Sequence, residues 1–340
     1  MGKKNEATRG RYELKMRSND PSYRRVHGNY PAKKYAKGTP VVNRLSFEFT
    51  GSSTQFIDVA AALSVINRKG FRQGCYYYVN SVEFYDASTN VVDLHTLPDT
   101  WVTRAAYRRA KAVYDKMNEI AIENVPTILP KYHDFKVYFS NFHRTTGTKN
   151  PALYGINSDK TEYSPDEWAY SQLVSADDDG DATQQADNFY LHMIGGDVGT
   201  DANWESVGII KSYGDTRVEP DGSGQPVLPP NLNDDPLLNL FDYSSEEQMN
   251  DVITRLDEDN DATPYDANSY IGELSHSAQH VARLTTTAES GRVAKSEGFC
   301  APLGLIVVDP DAAMAADNKF RIVLNLAVGT YHGVYAERMA

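Results

Sequence analysis

The sequence changes character once, near residue 44, and that change constrains the possible folds more than any other feature of its 340 residues. Residues 1–44 hold twelve basic side chains (Lys3, Lys4, Arg9, Arg11, Lys15, Arg17, Arg24, Arg25, Lys33, Lys34, Lys37 and Arg44) against only Glu6, Glu13 and Asp20, a net charge of +9. The other 296 residues hold 22 basic and 43 acidic groups, a net charge of −21. The overall value of −12 therefore conceals two segments of opposite sign. Such segregation implies a polyanionic partner at one end and a solvated, self-repelling surface elsewhere. It is hard to explain for an ordinary enzyme.

The basic arm has almost no Val, Ile, Leu or Phe before Val41. It cannot bury enough apolar area to offset the entropy of ordering, so alone it is predicted to be disordered. Tyr12, Tyr23, Tyr30 and Tyr35 are interleaved with the cations. Rings at that spacing can stack on unpaired bases while Lys and Arg neutralise phosphates. The expected nucleic-acid-binding set is therefore the twelve cations together with Tyr23, Tyr30 and Tyr35. A solvated tail and a localisation signal are the plainer readings of the same composition.

From Asn43 onward the periodicity is that of strands. Leu45–Thr50 alternates apolar and polar residues and ends at Gly51, and Cys75–Tyr85 is rich in aromatic and β-branched residues ahead of the turn Asp86–Asn90. Phe56–Ile66 reads as a short helix or a loop. Asp99 or Thr100 caps a helix ending before Pro126, with Trp101, Ala105, Ala110, Val113, Tyr114, Met117 and Ile120 as its apolar face and Arg104, Arg108, Arg109, Lys111 and Lys116 on its other side, which reads as a solvated face, with a second genome or subunit contact as the alternative. Further strands are expected at 135–139, 188–194, 207–213, 302–309, 320–329 and 331–335, and a helix near Ser245–Leu256 follows the Pro-rich stretch 219–236. With no βαβ rhythm, the pattern predicts a mainly β fold: a single jelly-roll sandwich of two antiparallel sheets with helical and loop insertions. The arm would occupy 1–44 and the roll 45–340, with inserted loops at about 142–185 and 214–300.

Catalytic signatures are missing. The sequence has no phosphate-binding Gly loop with Lys, no dinucleotide fingerprint and no Gly-x-Ser-x-Gly elbow, so neither catalytic residues nor a cofactor is expected. His276 and His280 share the i, i+4 spacing of zinc ligands but lack the Glu of a zincin motif. The acidic runs Asp177–Asp181 and Asp257–Asp261 do not match a calcium loop and read as solvated, with a calcium ion at a subunit contact as the alternative. His95 and the neighbours His133 and Asp134 receive no role. Cys75 and Cys300 suit two buried free thiols better than a disulfide. No run approaches eighteen consecutive apolar residues and no signal peptide is evident, so a soluble intracellular protein without a membrane partner is expected.

The segments Asp93–Thr103, Pro130–Tyr138 and Val328–Glu337 resemble the capsid proteins of circular Rep-encoding single-stranded DNA viruses. The resemblance is patchy and supplies no catalytic residue. It implies one jelly roll that self-assembles into a small icosahedral shell, the basic arm lying inside on single-stranded DNA. Assembly would take place inside the host cell, the nucleus included, and the receptor stays unidentified. The arm is less dense in Arg than the circovirus pattern. A coat protein of a small RNA virus would follow the same logic, so the type of nucleic acid rests on the resemblance alone. The rival from a different class is a lectin-like or adhesin β-sandwich whose basic arm is incidental; a hydrolase on a β scaffold is the remaining alternative.

Overall fold

The computed structural model describes residues 41–125, 132–146, 152–153, 163–164, 166–175, 187–200, 203–216, 270–273 and 278–340. The chain begins with β1 (Arg44–Thr50), β2 (Gln55–Asp58), α1 (Val59–Asn67), β3 (Cys75–Asp86) and β4 (Val91–Thr96). A long insertion follows, carrying α2 (Trp101–Asn124), β5 (Tyr138–Ser140), α3 (Asn141–Thr145), β6 (Ala152–Leu153), β7 (Gln172–Ser175), β8 (Asp187–Ile194), β9 (Val198–Thr200), β10 (Asn203–Gly208) and α4 (Ile209–Asp215). The chain returns through β11 (Gln279–Thr285), β12 (Val293–Pro302), β13 (Leu305–Pro310), β14 (Lys319–Leu326), β15 (Val328–Tyr331) and β16 (Ala336–Arg338).

Eight strands, β1 to β4 and β11 to β14, build two antiparallel sheets packed face to face. Sheet A runs β12-β3-β14-β1 and sheet B runs β11-β4-β13-β2; β6 lies beyond β1, and β16 pairs with β3. Counted along the chain, sheet A holds the first, eighth, third and sixth of these strands, and sheet B the second, seventh, fourth and fifth. That winding is a jelly roll, the architecture that the strand pattern predicts.

The pairing follows from the residues. Leu45, Phe47 and Phe49 alternate into the core and stand opposite Leu324, Ile322 and Phe320, with the Phe49 and Phe320 rings stacked at 5.1 Å. Val82 and Phe84 of β3 and Val92 and Leu94 of β4 complete this first cluster, each side chain contributing about 1.5–3 kcal/mol on burial. β13 does not alternate: Leu305 to Val308 are all buried. Ile306 and Val308 face sheet A, while Leu305 and Val307 join Phe56 in a second cluster under the insertion. Sheet B is therefore the middle of three layers.

The insertion supplies Val102, Ala106 and Tyr107 of α2, Phe135, Val137 and Phe139, Leu191 and Met193 of β8, and Ile209 and Ile210 of α4 to that second cluster. It also carries a third, small sheet, β5-β8-β10-β9 with β7 against β8, in which β5/β8 and β8/β10 are parallel. Asp58 joins the layers. It caps α1 by accepting the Ala61 amide at 3.1 Å, and it accepts Gln73 Nε2 and Trp168 Nε1, each at 3.1 Å. Burial raises its pKa to about 6.

Four expectations need correction. The strand expected at 207–213 stops at Gly208 and α4 takes over, because Ile209 and Ile210 are drawn together into the second cluster. At 135–139 only Tyr138 onward is ladder: the Val137 amide donates to Gln73 Oε1 at 2.6 Å and the Lys136 amide to Ser171 Oγ at 3.0 Å, so side chains take the bonds a neighbouring strand would. The face that α2 buries holds Val102, Thr103, Ala106 and Tyr107, whereas Trp101, Val113 and Ile120 are about half exposed. Thr103 tolerates burial because its hydroxyl bonds Thr100 Oγ1 at 2.9 Å. The loop expected at 214–300 ends too late, since 279–285 and 293–302 are strands of the roll. The other loop, 142–185, and the helix near 245–256 fall largely or wholly outside the described residues. Phe56–Ile66 resolves into the end of β2 and most of α1, and residues 332–335 turn between β15 and β16.

Candidate nucleic-acid interface

Of the residues expected to bind nucleic acid, Arg44 lies within the described residues; Lys3, Lys4, Arg9, Arg11, Lys15, Arg17, Arg24, Arg25, Lys33, Lys34 and Lys37, with Tyr23, Tyr30 and Tyr35, lie outside them. What the structure shows is where the arm joins the roll. The Val42 amide donates to Asn67 Oδ1 at 2.8 Å, and Asn67 Nδ2 donates back to the Val42 carbonyl at 3.0 Å. Asn43 is held on the other side, its carbonyl accepting the Leu326 amide at 2.9 Å and its side-chain amide donating to the Leu326 carbonyl at 2.9 Å. The arm is thus fastened between the end of α1 and the end of β14.

Next to this point the chain turns out of α1 through Arg68, which occupies the left-handed cap position with φ 51°. Gly or Asn is usual there, because a Cβ in this region meets the following carbonyl. Arg68, Lys69 and Arg72 follow one another in that turn, and among the described residues none of them makes an ion pair. Sequence reasoning missed this group because it lies outside the arm. The signal was the run Asn67-Arg-Lys-Gly-Phe-Arg72 itself, with a Gly just after its basic pair.

Arg44 opens a second patch. Register places Arg44 and Glu48 of β1, Arg321 and Lys319 of β14, Glu83 and Tyr85 of β3, and Lys295 of β12 on the face of sheet A turned away from the core. Each carboxylate lies between two cations: Arg44 and Lys295 at 2.9 and 3.6 Å from Glu83, and Lys319 and Arg321 at 3.9 and 3.8 Å from Glu48. Tyr85 also donates to Glu83 at 2.6 Å, and that bond, followed by the charges of Arg44 and Lys295, holds the Glu83 carboxyl below the usual range. Four cations around two carboxylates leave a positive excess in the middle of this face.

The sequence that connects β4 to β11 is acidic. Residues 97–278, which connect β4 to β11, contain 13 basic and 32 acidic side chains, a net −19, so the rest of the chain beyond Arg44 carries only −2 of the −21. The described parts of this insertion cover the outer side of sheet B. Among the described residues, positive charge gathers at the arm's attachment and on sheet A, while the described parts of the insertion hold 8 basic and 12 acidic side chains, a net −4.

The remaining candidates resolve into local structure. His280 and His95 are cross-strand neighbours whose rings meet edge-on at 5.2 Å, with His280 Nε2 3.1 Å from Asp93 Oδ1. His133 stacks on Tyr114, and Asp134 accepts the Gln73 amide at 3.1 Å. Cys75 is buried, Cys300 partly so, and both are free; burial pushes the Cys300 thiol up to about 11. His276 and both acidic runs lie outside the described residues. Among the described residues no three His, Cys, Asp or Glu side chains converge as a metal ion would require, and no helix is long and apolar enough to cross a membrane. No family model, curated protein or solved structure matches the chain.

Proposed function

We propose that this protein is a viral capsid protein whose jelly roll self-assembles into a closed icosahedral shell and whose basic arm packages single-stranded nucleic acid, DNA by the resemblance of its segments to capsid proteins of circular Rep-encoding viruses. The observation that carries this reading is the separation of charge along a chain whose frame is a jelly roll. The +9 arm leaves the roll beside the cation-rich outer face of sheet A, and the chain between β4 and β11, whose described parts pack on sheet B, carries −19 along its sequence. A subunit built this way offers one face to a polyanion and the other to solvent, which a lectin-like or adhesin module does not need. Affinity would come from counter-ion release and be independent of sequence.

The test is negative-stain microscopy of the purified full-length protein, with the 260/280 nm absorbance ratio recorded on the same fraction. Uniform closed particles carrying nucleic acid are expected, and deletion of residues 2–43 should remove the nucleic acid. A monomer free of nucleic acid at all salt concentrations would overturn the proposal in favour of the binding module. Retention of nucleic acid after the deletion would overturn the role of the arm.

A further inference from the structure

We propose that the turn after α1 is a second nucleic-acid contact, in which Arg68, Lys69 and Arg72 hold phosphates of the strand that the arm binds. This rests on the packaging reading above and extends it from the arm to the folded roll. Three segments meet at this end of the roll. Asn67 exchanges two hydrogen bonds with Val42, and Asn43 is bonded to Leu326. Beyond Leu326 the chain reaches Tyr331, whose hydroxyl accepts the Arg72 amide at 3.0 Å, and His332, whose ring meets Phe71 edge-on at 5.5 Å. Residues 41–44, 67–74 and 327–335 contain Arg44, Arg68, Lys69 and Arg72 and no Asp or Glu.

Arg68 and Arg72 are exposed and Lys69 partly so, and among the described residues none of the three side chains has an ion-pair or hydrogen-bond partner. Asp134 accepts the neighbouring Gln73 amide at 3.1 Å but pairs with none of them. The four cations on the outer face of sheet A, by contrast, share Glu48 and Glu83. An unpaired cation meets a phosphate without first giving up a carboxylate, so its whole counter-ion release contributes to binding. The backbone agrees: Arg68 with φ 51° and His332 with φ 49° place two non-Gly residues in the left-handed region in these adjoining turns. Strain of this kind is kept where side chains have a use. Continuity with the arm identifies the occupant. Lys33, Lys34 and Lys37 precede Val42 in the sequence, and Val42 is bonded to the residue before Arg68, so a strand neutralised by the arm up to its root meets the turn next.

The experiment measures binding of a fluorescent oligothymidylate by the full-length protein over a range of salt, with urea midpoints checking that every variant folds. Arg68→Asn, Lys69→Gln and Arg72→Gln together remove three charges and keep a residue suited to the left-handed cap. They should lower the slope of log affinity against log salt by about 2 and weaken binding about a hundredfold at about 0.1 M salt. Lys111→Gln, Lys116→Gln and Arg283→Gln remove the same charge elsewhere and should leave the slope at its parental value. A parental slope in the turn variant, or an equal loss in the control, would overturn the turn contact and leave packaging by the arm standing. A turn variant with the parental slope that assembles poorly would make the turn a subunit contact instead. A parent that binds no oligonucleotide at any salt overturns both readings.

Discussion

Val42 and Asn67 exchange two hydrogen bonds, the Val42 amide donating to Oδ1 at 2.8 Å and Nδ2 donating to the Val42 carbonyl at 3.0 Å. The side chain that ends α1 thereby fixes where the basic arm meets the roll.

Asn67→Ala removes both bonds and a third, from Nδ2 to the Leu63 carbonyl at 3.2 Å. The expected cost is about 1–2 kcal/mol, since partly exposed bonds each contribute toward the low end of the usual range. Hydrogen exchange should show the Val42 amide losing protection while the amides of β3 keep theirs. Unchanged protection at Val42 would mean that the arm is fastened elsewhere.

Arg68→Gly separates backbone strain from charge. Gly at the left-handed cap should leave stability unchanged or raise it by about 1 kcal/mol. If the turn after α1 meets phosphates beside the arm, the same variant should reduce the slope of log affinity against log salt by about one for single-stranded DNA. A variant that is stabilised but has the parental slope would keep the structural account and remove Arg68 from the interface.

Asp58 makes stability depend on pH with an unusual sign. Its pKa rises on folding from 3.8 to about 6, so the folded state holds the proton more tightly than the unfolded chain. The resulting stabilisation is fully present below pH 3.8 and is lost as pH rises through about 6. It amounts to about 3 kcal/mol, lost mainly between pH 4 and pH 7. Burial lowers the pKa of His192, which works in the opposite direction, so the comparison must isolate Asp58. Asp58→Asn turns an amide group toward the donors Gln73 and Trp168 and should destabilise at any pH. The gap in unfolding free energy between parent and variant should be wider at pH 5 than at pH 7, and equal gaps would contradict the assignment.

Gly298 tests the pairing of β12 with β3. A Cβ there would lie 2.3 Å from the Val79 carbonyl oxygen and 2.7 Å from that of Asn80, closer than a carbon can approach without moving backbone. Gly298→Ala should cost about 1–3 kcal/mol in urea denaturation. Gly70→Ala, with nothing within 4 Å of its Cβ, serves as the neutral control.

Much of the roll was legible because its strands obey a local rule. The alternation of Leu45, Phe47 and Phe49 fixes which face is buried without knowledge of any partner, and Thr100 as the cap of α2 follows from the residues beside it. Where tertiary contacts outvote local preference, the sequence was silent. Ile209 and Ile210 look like strand residues and become helix because both must reach one cluster. Val137 has a strand's side chains, yet the amide of Gln73, 64 positions away, takes its hydrogen bonds. The basic turn at Arg68 gains meaning only beside Val42, and the −19 of the insertion could be counted only once β4 and β11 showed where it begins and ends.

Thr96 and Gln279 stand directly opposite one another in sheet B, although 182 residues lie between them. For the frame, that whole stretch is one hairpin connection: it must leave and return within a single strand spacing, and nothing else about it is prescribed by β4 and β11. Closing so large a loop late would be entropically slow, so folding is eased when the insertion gathers its own ends first. The pairing of β4 with β11 therefore sets only where the connection starts and ends, so a change of length or sequence inside it can be absorbed without moving either strand.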